Sequence, residues 1–200
     1  MDQPLSITQI LQEEQVTKKS QNSWSVSCAR ANLKEKDFLI KYNPDCQMKI
    51  CNNAELCIMG DFPTLEELKG EYNSMMPTVW LLPQLQNLSK FCGVKDKLDN
   101  KQLEQCAFII ATEYSYMKVS ELMLFFYRFK SGQYGKFYGN VDPLVITTAL
   151  RDFAADRNVE QDHYEEVRRK KELEEYMKHA VSHEEAMNTE EYKRGYQETL

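Results

Sequence analysis

Residues 120–153 read SELMLFFYRFKSGQYGKFYGNVDPLVITTALRDF and hold the strongest structural signal in the chain. Four apolar residues recur at the i, i+3, i+4 and i+7 positions of a helix with one buried face: Leu122, Phe125, Phe126 and Phe129. Ser120 is the predicted N-cap of this helix, and Gly132 is expected to end it. Asp142 and Pro143 then supply the preferred N-cap and first residue of another helix. The stretch therefore predicts two helices joined by a glycine-rich corner.

Helical signals continue upstream of this stretch. Thr64 with Glu67, and Asp99 with Gln102, have the spacing of capping boxes, in which two side chains satisfy the free amides of a helix start. Pro77 is expected to end the first of these helices, because proline removes a backbone donor. The chain has only 7 glycines and 6 prolines, which also favours helices over a turn-rich β fold. The sequence thus predicts a mainly α fold.

We expect three parts along the chain. Residues 1–61 hold a short amphipathic helix and an irregular Cys-bearing segment, in which residues 38–42 fit either a strand or a helical turn. Residues 62–157 form a compact multi-helix core domain. Residues 158–200 form a long charged helical tail with a thin apolar edge.

The net charge of −6 is concentrated in the tail. Residues 151–200 carry 9 basic and 14 acidic side chains, whereas residues 1–150 carry 16 and 17. A uniformly basic coat for nucleic acid is therefore excluded, and the body of the protein is nearly neutral.

Compartment and redox state follow from what the sequence lacks. The N-terminus has no secretory signal pattern, and no run reaches the roughly 18 apolar residues that a membrane helix needs. We therefore predict a cytoplasmic protein with reduced thiols and no membrane partner. Four cysteines raise a zinc site as an alternative to core filling: Cys28, Cys46, Cys51 and Cys57. Their spacings lack the short pairs of zinc knuckles, so no metal is predicted.

A basic, aromatic corner is the candidate contact surface. Three glycines within eight residues alternate with aromatic rings and cations, which are the residue types that stack on bases and meet phosphates. The candidate contact residues are Arg128, Lys130, Tyr134, Lys136, Phe137 and Tyr138. Two alternatives stay open: phosphate binding at the start of the helix at Pro143, and an aromatic-packed helix corner without a ligand. The glycine spacing matches neither a Walker nor a Rossmann motif.

Catalytic chemistry finds little support in the sequence. The three histidines, His163, His179 and His183, all lie in the tail, away from any candidate nucleophile. We therefore predict no enzyme activity, no catalytic residues and no cofactor.

The segment from Leu124 to Pro143 fits the phrase LFFxRFKxGxYGxFYGxVDP. This phrase resembles a domain-of-unknown-function family of Bacteroidetes-type bacteria, their phages and mobile elements. The resemblance extends over about half of the chain, with a compatible helical stretch before the phrase. It implies a helical intracellular protein and supplies no catalytic residues.

Together these features predict a non-enzymatic accessory or adaptor protein of bacterial or phage DNA metabolism. In this hypothesis the surface of residues 128–140 contacts nucleic acid or a protein partner. The alternative is a protein-interaction or oligomerisation module that acts through the charged C-terminal helix and has no nucleic-acid role. The sequence does not predict an oligomeric state.

Overall fold

The computed structural model describes residues 33–93, 95–135, 137–138 and 140–187, with side chains as far as residue 178. The described residues are mostly helical and contain no β-strand. The α-helices are α1 (Leu33–Lys41), α2 (Gln47–Ile50), α3 (Ala54–Met59), α4 (Leu65–Glu71), α5 (Met76–Phe91), α6 (Asn100–Glu113), α7 (Val119–Lys130) and α8 (Pro143–Met187). A 3-10 helix, Pro44–Cys46, precedes α2. The predicted mainly α fold with a long charged C-terminal helix is confirmed.

The core is built around α7. This helix packs against α2, α3 and α5, and α5 packs in turn against α4 and α6. Phe125 and Phe126 of α7 are fully buried, and the ring of Phe125 lies 5.6 Å from the ring of Phe153 in α8. Burying a phenylalanine of this kind stabilises a fold by about 1.5–3 kcal/mol. The apolar stripe of the sequence is therefore the centre of the hydrophobic core.

The start of α7 differs from its prediction. The helix begins at Val119, and the Ser120 hydroxyl donates instead to the carbonyl of Cys57 at 2.7 Å. The prediction of Ser120 as N-cap is wrong because that side chain lies inside the helix and tethers it to α3. Glu121 takes over the first turn, since its Oε2 accepts from the Lys118 amide at 2.8 Å.

Both predicted capping boxes are confirmed. The Thr64 amide donates to Glu67 Oε2 at 2.7 Å, and the Asp99 side chain accepts from the Gln102 amide at 2.8 Å. The prediction for Pro77 is wrong, because α4 has already ended and Pro77 is the second residue of α5. A proline is tolerated there because amides of the first helical turn have no intrahelical partner.

The segment that the sequence left undecided is helical where the structure describes it. Residues 38–42 lie in and just after α1, so the helical alternative is right. The Asn43 side chain then accepts from the amides of Asp45 and Cys46 at 2.8 and 3.0 Å and starts the 3-10 helix. The amphipathic helix predicted within the first 32 residues lies outside the described residues.

The chain divides into two compact units, one ending at Arg157 and the other beginning at Asn158. Helix α8 runs through this boundary without a break, whereas the sequence predicted separate helices on either side of it. Within the second unit, Lys170 pairs with Glu166 at 2.7 Å, one helical turn away. In the described part of the chain, none of the helices combines the length and apolarity required to cross a membrane.

Candidate functional site

The predicted contact rings divide into two packed rings and one exposed ring. The Tyr134 ring lies 6.1 Å from Phe125, and its hydroxyl donates to Asp156 Oδ2 at 3.1 Å. Burial is the main cause that raises the pKa of Tyr134 to about 12. Phe137 packs at 5.3 Å on Phe129, whereas Tyr138 is 79% exposed. Tyr134 and Phe137 therefore close the edge of the core, and their role as stacking surfaces stays a prediction.

Two of the three predicted cations, Arg128 and Lys130, are also held by the fold. The Arg128 guanidinium lies 5.9 Å from the centre of the Phe153 ring and is half-buried. Lys136 lies outside the described residues. Lys130 is half-buried too, but its ammonium reaches a hollow that opens to solvent. Lys130 is therefore a predicted contact residue that lines a solvent-open hollow.

We call this hollow, of about 440 Å³, the Lys130 pocket. It lies between the 3-10 helix, α2, α5 and the C-terminal end of α7. Its principal lining residues are Asp45, Gln47, Met48, Asn87, Phe91 and Lys130. A volume of this size lies within the range of small-ligand pockets and fits one or two side chains of a partner.

The Lys130 ammonium is bound by neutral oxygens. It donates to Gln47 Oε1 at 2.7 Å and to Asn87 Oδ1, and it lies 5.7 Å from the centre of the Phe91 ring. Within the described residues it forms no ion pair with a carboxylate. An ammonium has three N–H donors, and these two amide oxygens use two of them. The charge is therefore partly dehydrated and hydrogen-bonded, but no direct ion pair neutralises it.

A chain of buried amides sets the polarity of this site. The Tyr42 carbonyl can only accept, and it accepts from the Gln84 side-chain nitrogen at 2.9 Å. The Gln84 oxygen must then face Gln47, whose nitrogen donates to it at 2.6 Å. As a result, the Gln47 oxygen faces Lys130. The fold thus presents an acceptor to the ammonium through a relay that begins at a backbone carbonyl.

Electrostatics around Lys130 favour neutralisation from outside. Burial lowers the pKa of the Lys130 ammonium, and the negative charge of Asp45 opposes that shift. Asp45 lies on the exposed rim of the pocket. The thiols of Cys51 and Cys92 also act on Lys130, and a protonated thiol carries no charge. Partial burial removes water that would screen this charge. An anionic group that enters the pocket would therefore be attracted to the ammonium more strongly than it would be in bulk water.

The rim of the pocket is apolar as well as charged. Met48 is 75% exposed and Phe91 is 62% exposed. Side chains of this kind are enriched in the cores of protein interfaces, whereas isolated exposed apolar residues are common elsewhere. Here the two apolar side chains line the same pocket as Lys130, so the pocket offers contact area and charge together.

The cysteines occupy several environments. Cys51, Cys57 and Cys106 are buried thiols, and Cys46 and Cys92 are half-buried. A hydrogen bond with Cys57, together with burial, raises the pKa of Cys51, and the same hydrogen bond lowers the pKa of Cys57. Among the described residues, no group of three metal-ligating side chains comes together. Cys28 of the zinc alternative lies outside the described residues.

A larger hollow of about 910 Å³ lies between α1 and α4. Its floor is aromatic, with Phe38 packed 4.9 Å from Tyr42 and 5.4 Å from Tyr72. Lys34 and Asp37 are among lining residues of both charge signs. This mixture gives the hollow no single electrostatic preference, so its size alone does not identify a ligand.

Most residues of the Lys130 pocket are not predicted from the sequence. Gln47, Asn87 and the exposed Met48 come from segments far from Lys130 in sequence. One signal was present in the sequence, since Gln84 lies three residues after Leu81 and four before Leu88, which is the spacing of one helical face. A glutamine on such a face must find buried partners, and this requirement predicts a polar network there.

Comparison with known proteins assigns this chain to a family. The model described as a family of unknown function, DUF6633, matches residues 97–198, just over half of the chain, and the chain belongs to this family. No curated protein and no solved structure matches it. Lys130 lies within the matched region, whereas Gln47 and Asn87 precede it. The pocket is therefore formed jointly by the family region and the helices before it.

Proposed function

We propose that this member of the family of unknown function DUF6633 is a non-enzymatic adaptor that contacts a protein partner through the Lys130 pocket. The observation that carries the proposal is the half-buried Lys130 ammonium, bound by two amide oxygens and without a carboxylate ion pair in the described part of the chain. The two hydrogen bonds offset part of the unfavourable dehydration of this charge, and within the described residues no ion pair offsets the rest. A binding role would explain why a cation is kept there.

A protein partner fits the surface better than nucleic acid. Binding to a strand of nucleic acid uses exposed rings and a continuous row of cations. Tyr134 and Phe137 instead pack on the core, and Arg128 lies beside Phe153. Asp45 adds a negative charge on the rim, which would repel a phosphate backbone. These contacts favour the protein-partner form of the predicted function.

The biological setting is a further part of the proposal. The resemblance of the segment from Leu124 to Pro143 to proteins of bacteria, phages and mobile elements supports a place in bacterial or phage DNA metabolism. In that setting the chain would act as an accessory protein that joins a partner to a larger assembly. Its action would require neither a cofactor nor a catalytic residue.

Site-specific cross-linking in the producing cells tests the proposal. A photoreactive amino acid placed at Met48, on the pocket rim, should yield a discrete cross-linked protein product. Lys130→Gln should abolish that product while the protein remains folded by circular dichroism. Lys49→Gln is the matched control, because Lys49 is exposed on the same helix as Met48, and it should leave the product unchanged. A product that is indifferent to Lys130 would refute the proposal.

Nucleic-acid binding is tested in parallel. Fluorescence anisotropy with single-stranded and duplex DNA in low salt should show little binding, and Tyr134→Ala combined with Lys136→Glu should not change it. Tight binding to DNA that this double substitution abolishes would instead support the nucleic-acid form of the predicted function.

A stripe of exposed apolar side chains on α8 supports a second candidate function, which is association with another helix. Three apolar side chains are exposed at the i, i+3 and i+4 positions of α8 within the second unit: Leu173, Tyr176 and Met177. Such a stripe can pair with another helix, including a second copy of the chain. Light scattering should show an oligomer that Leu173→Gln with Met177→Gln converts to monomer. An unchanged mass would count against association through this stripe.

A further inference from the structure

We infer that the Lys130 pocket binds the carboxylate of an acidic side chain that is flanked by apolar residues in the partner's chain. This inference rests on the proposed function and specifies the chemistry of the partner. It starts from charge complementarity, because the described residues offer Lys130 two amide oxygens but no direct ion pair. A carboxylate can accept the third N–H of the ammonium and neutralise its charge.

The choice of a single carboxylate follows from Asp45. This exposed side chain lines the same pocket and raises the local negative charge. A phosphate dianion or a phosphate backbone would bring more negative charge towards Asp45 than a carboxylate does. The pocket therefore discriminates by charge, admitting one carboxylate and disfavouring a polyanion.

The apolar neighbours of that carboxylate follow from the rim. Met48 and Phe91 are both mostly exposed and line the same pocket as Lys130, and the Phe91 ring lies 5.7 Å from the ammonium. A leucine-type side chain on either side of an acidic residue would cover them while its carboxylate reaches Lys130. The volume of about 440 Å³ matches a short peptide segment better than a whole helix.

The site is also positioned in advance of binding. The relay from the Tyr42 carbonyl through Gln84 to Gln47 fixes which atom faces Lys130. The ammonium is consequently held at the pocket before the ligand arrives, which reduces the entropy lost on binding. A lysine on an open surface would lack this positioning.

The test compares two isosteric peptides on the full chain. The probes are acetyl-Leu-Glu-Leu-amide and acetyl-Leu-Gln-Leu-amide at millimolar concentration, followed by NMR at the Met48 methyl group. The glutamate peptide should bind about tenfold more tightly than the glutamine peptide, because it alone offers a charge to the ammonium. It should also raise the pKa of Lys130, read from the Cε chemical shift against pH with Asp45, Cys51 and Cys92 as the neighbouring titratable groups.

Variants and other anions complete the experiment. Lys130→Gln should remove the preference for glutamate, and Lys49→Gln should keep it. Asp45→Asn should strengthen binding of the glutamate peptide and of inorganic phosphate. Equal binding of the two peptides, or no response of Lys130 to either, would overturn the carboxylate assignment. Stronger binding of inorganic phosphate or of a thymidine oligonucleotide to the unmodified chain would overturn it as well.

The outcomes separate this inference from the function on which it rests. If the Met48 cross-link depends on Lys130 but the peptides bind equally, the partner contact stands and the carboxylate assignment falls. If the glutamate peptide binds preferentially but no cross-link forms in cells, the carboxylate site stands and the adaptor role falls.

Discussion

The two ends of α7 differ in whether a charged side chain is neutralised by an ion pair. Near the start of the helix, Glu121 is fully buried and pairs with Arg157 at 2.6 Å. At the last residue, Lys130 is half-buried. The described residues that accept its hydrogen bonds do so through the side-chain amide oxygens of Gln47 and Asn87. The first charge is neutralised within the fold, whereas the second opens onto a pocket. Helix α7 therefore has an internal ion pair in its first turn and, at its last residue, a cation that lines an open pocket.

The largest effect on stability is expected near the start of α7, where Glu121 pairs with Arg157. Glu121→Ala should lower the free energy of unfolding by about 3–5 kcal/mol, because it removes one partner of a buried ion pair. Urea unfolding measures this change. Glu66→Ala is the control, since the exposed pair of Glu66 with Lys69 contributes only about 0.5 kcal/mol. Equal losses of stability for the two substitutions would show that the Glu121–Arg157 pair stabilises the fold no more than an exposed ion pair does.

The next largest effect on stability is expected in the hydrogen-bond relay that leads through Gln84 and Gln47 to Lys130. Gln84→Leu should lower the free energy of unfolding by about 1–3 kcal/mol, because it leaves the Gln47 amide nitrogen buried without its acceptor. Gln105→Leu, at an exposed position of α6, serves as the control and should be close to neutral. A neutral Gln84→Leu would mean that the relay does not hold Lys130 in place.

The glycine corner after Lys130 comes third. Gly135 has φ of +100° with no other atom near its missing Cβ, so Gly135→Ala meets backbone strain alone. It should lower the free energy of unfolding by about 1–2 kcal/mol. Gly70→Ala in α4 also has open space and should instead raise stability by about 0.5–1 kcal/mol. Thermal unfolding of the two variants should therefore shift in opposite directions.

The smallest effect is a pH dependence at the open end. Burial lowers the pKa of Lys130 in the folded protein below 10.5, so between the two pKa values the unfolded chain binds more protons. Stability should consequently rise with pH across that window, by roughly 0.5 kcal/mol or less for a partly solvated group. Lys130→Met should remove this rise, whereas Lys49→Met should keep it. A rise that persists in Lys130→Met would assign it to another group.

The sequence predicted the features that depend on local pattern. The stripe from Leu122 to Phe129 and the capping boxes are encoded within a few residues, and they are confirmed. The sequence also singled out Lys130 as a contact residue, for its charge in a basic corner. It did not place Gln47 and Asn87 beside Lys130, because contacts across 83 and 43 positions depend on how helices pack. The same reason explains why Ser120 was misassigned as a cap.

The free energy of unfolding of Lys130→Met at neutral pH shows whether the Lys130 charge serves binding and not the fold. Methionine keeps much of the side-chain volume and removes the partly dehydrated charge, while water from the open pocket can donate to the two amide oxygens. We expect stability that is unchanged or slightly higher than that of the unmodified chain. A loss of about 2 kcal/mol or more would instead show that the ammonium supports the structure as Glu121 does.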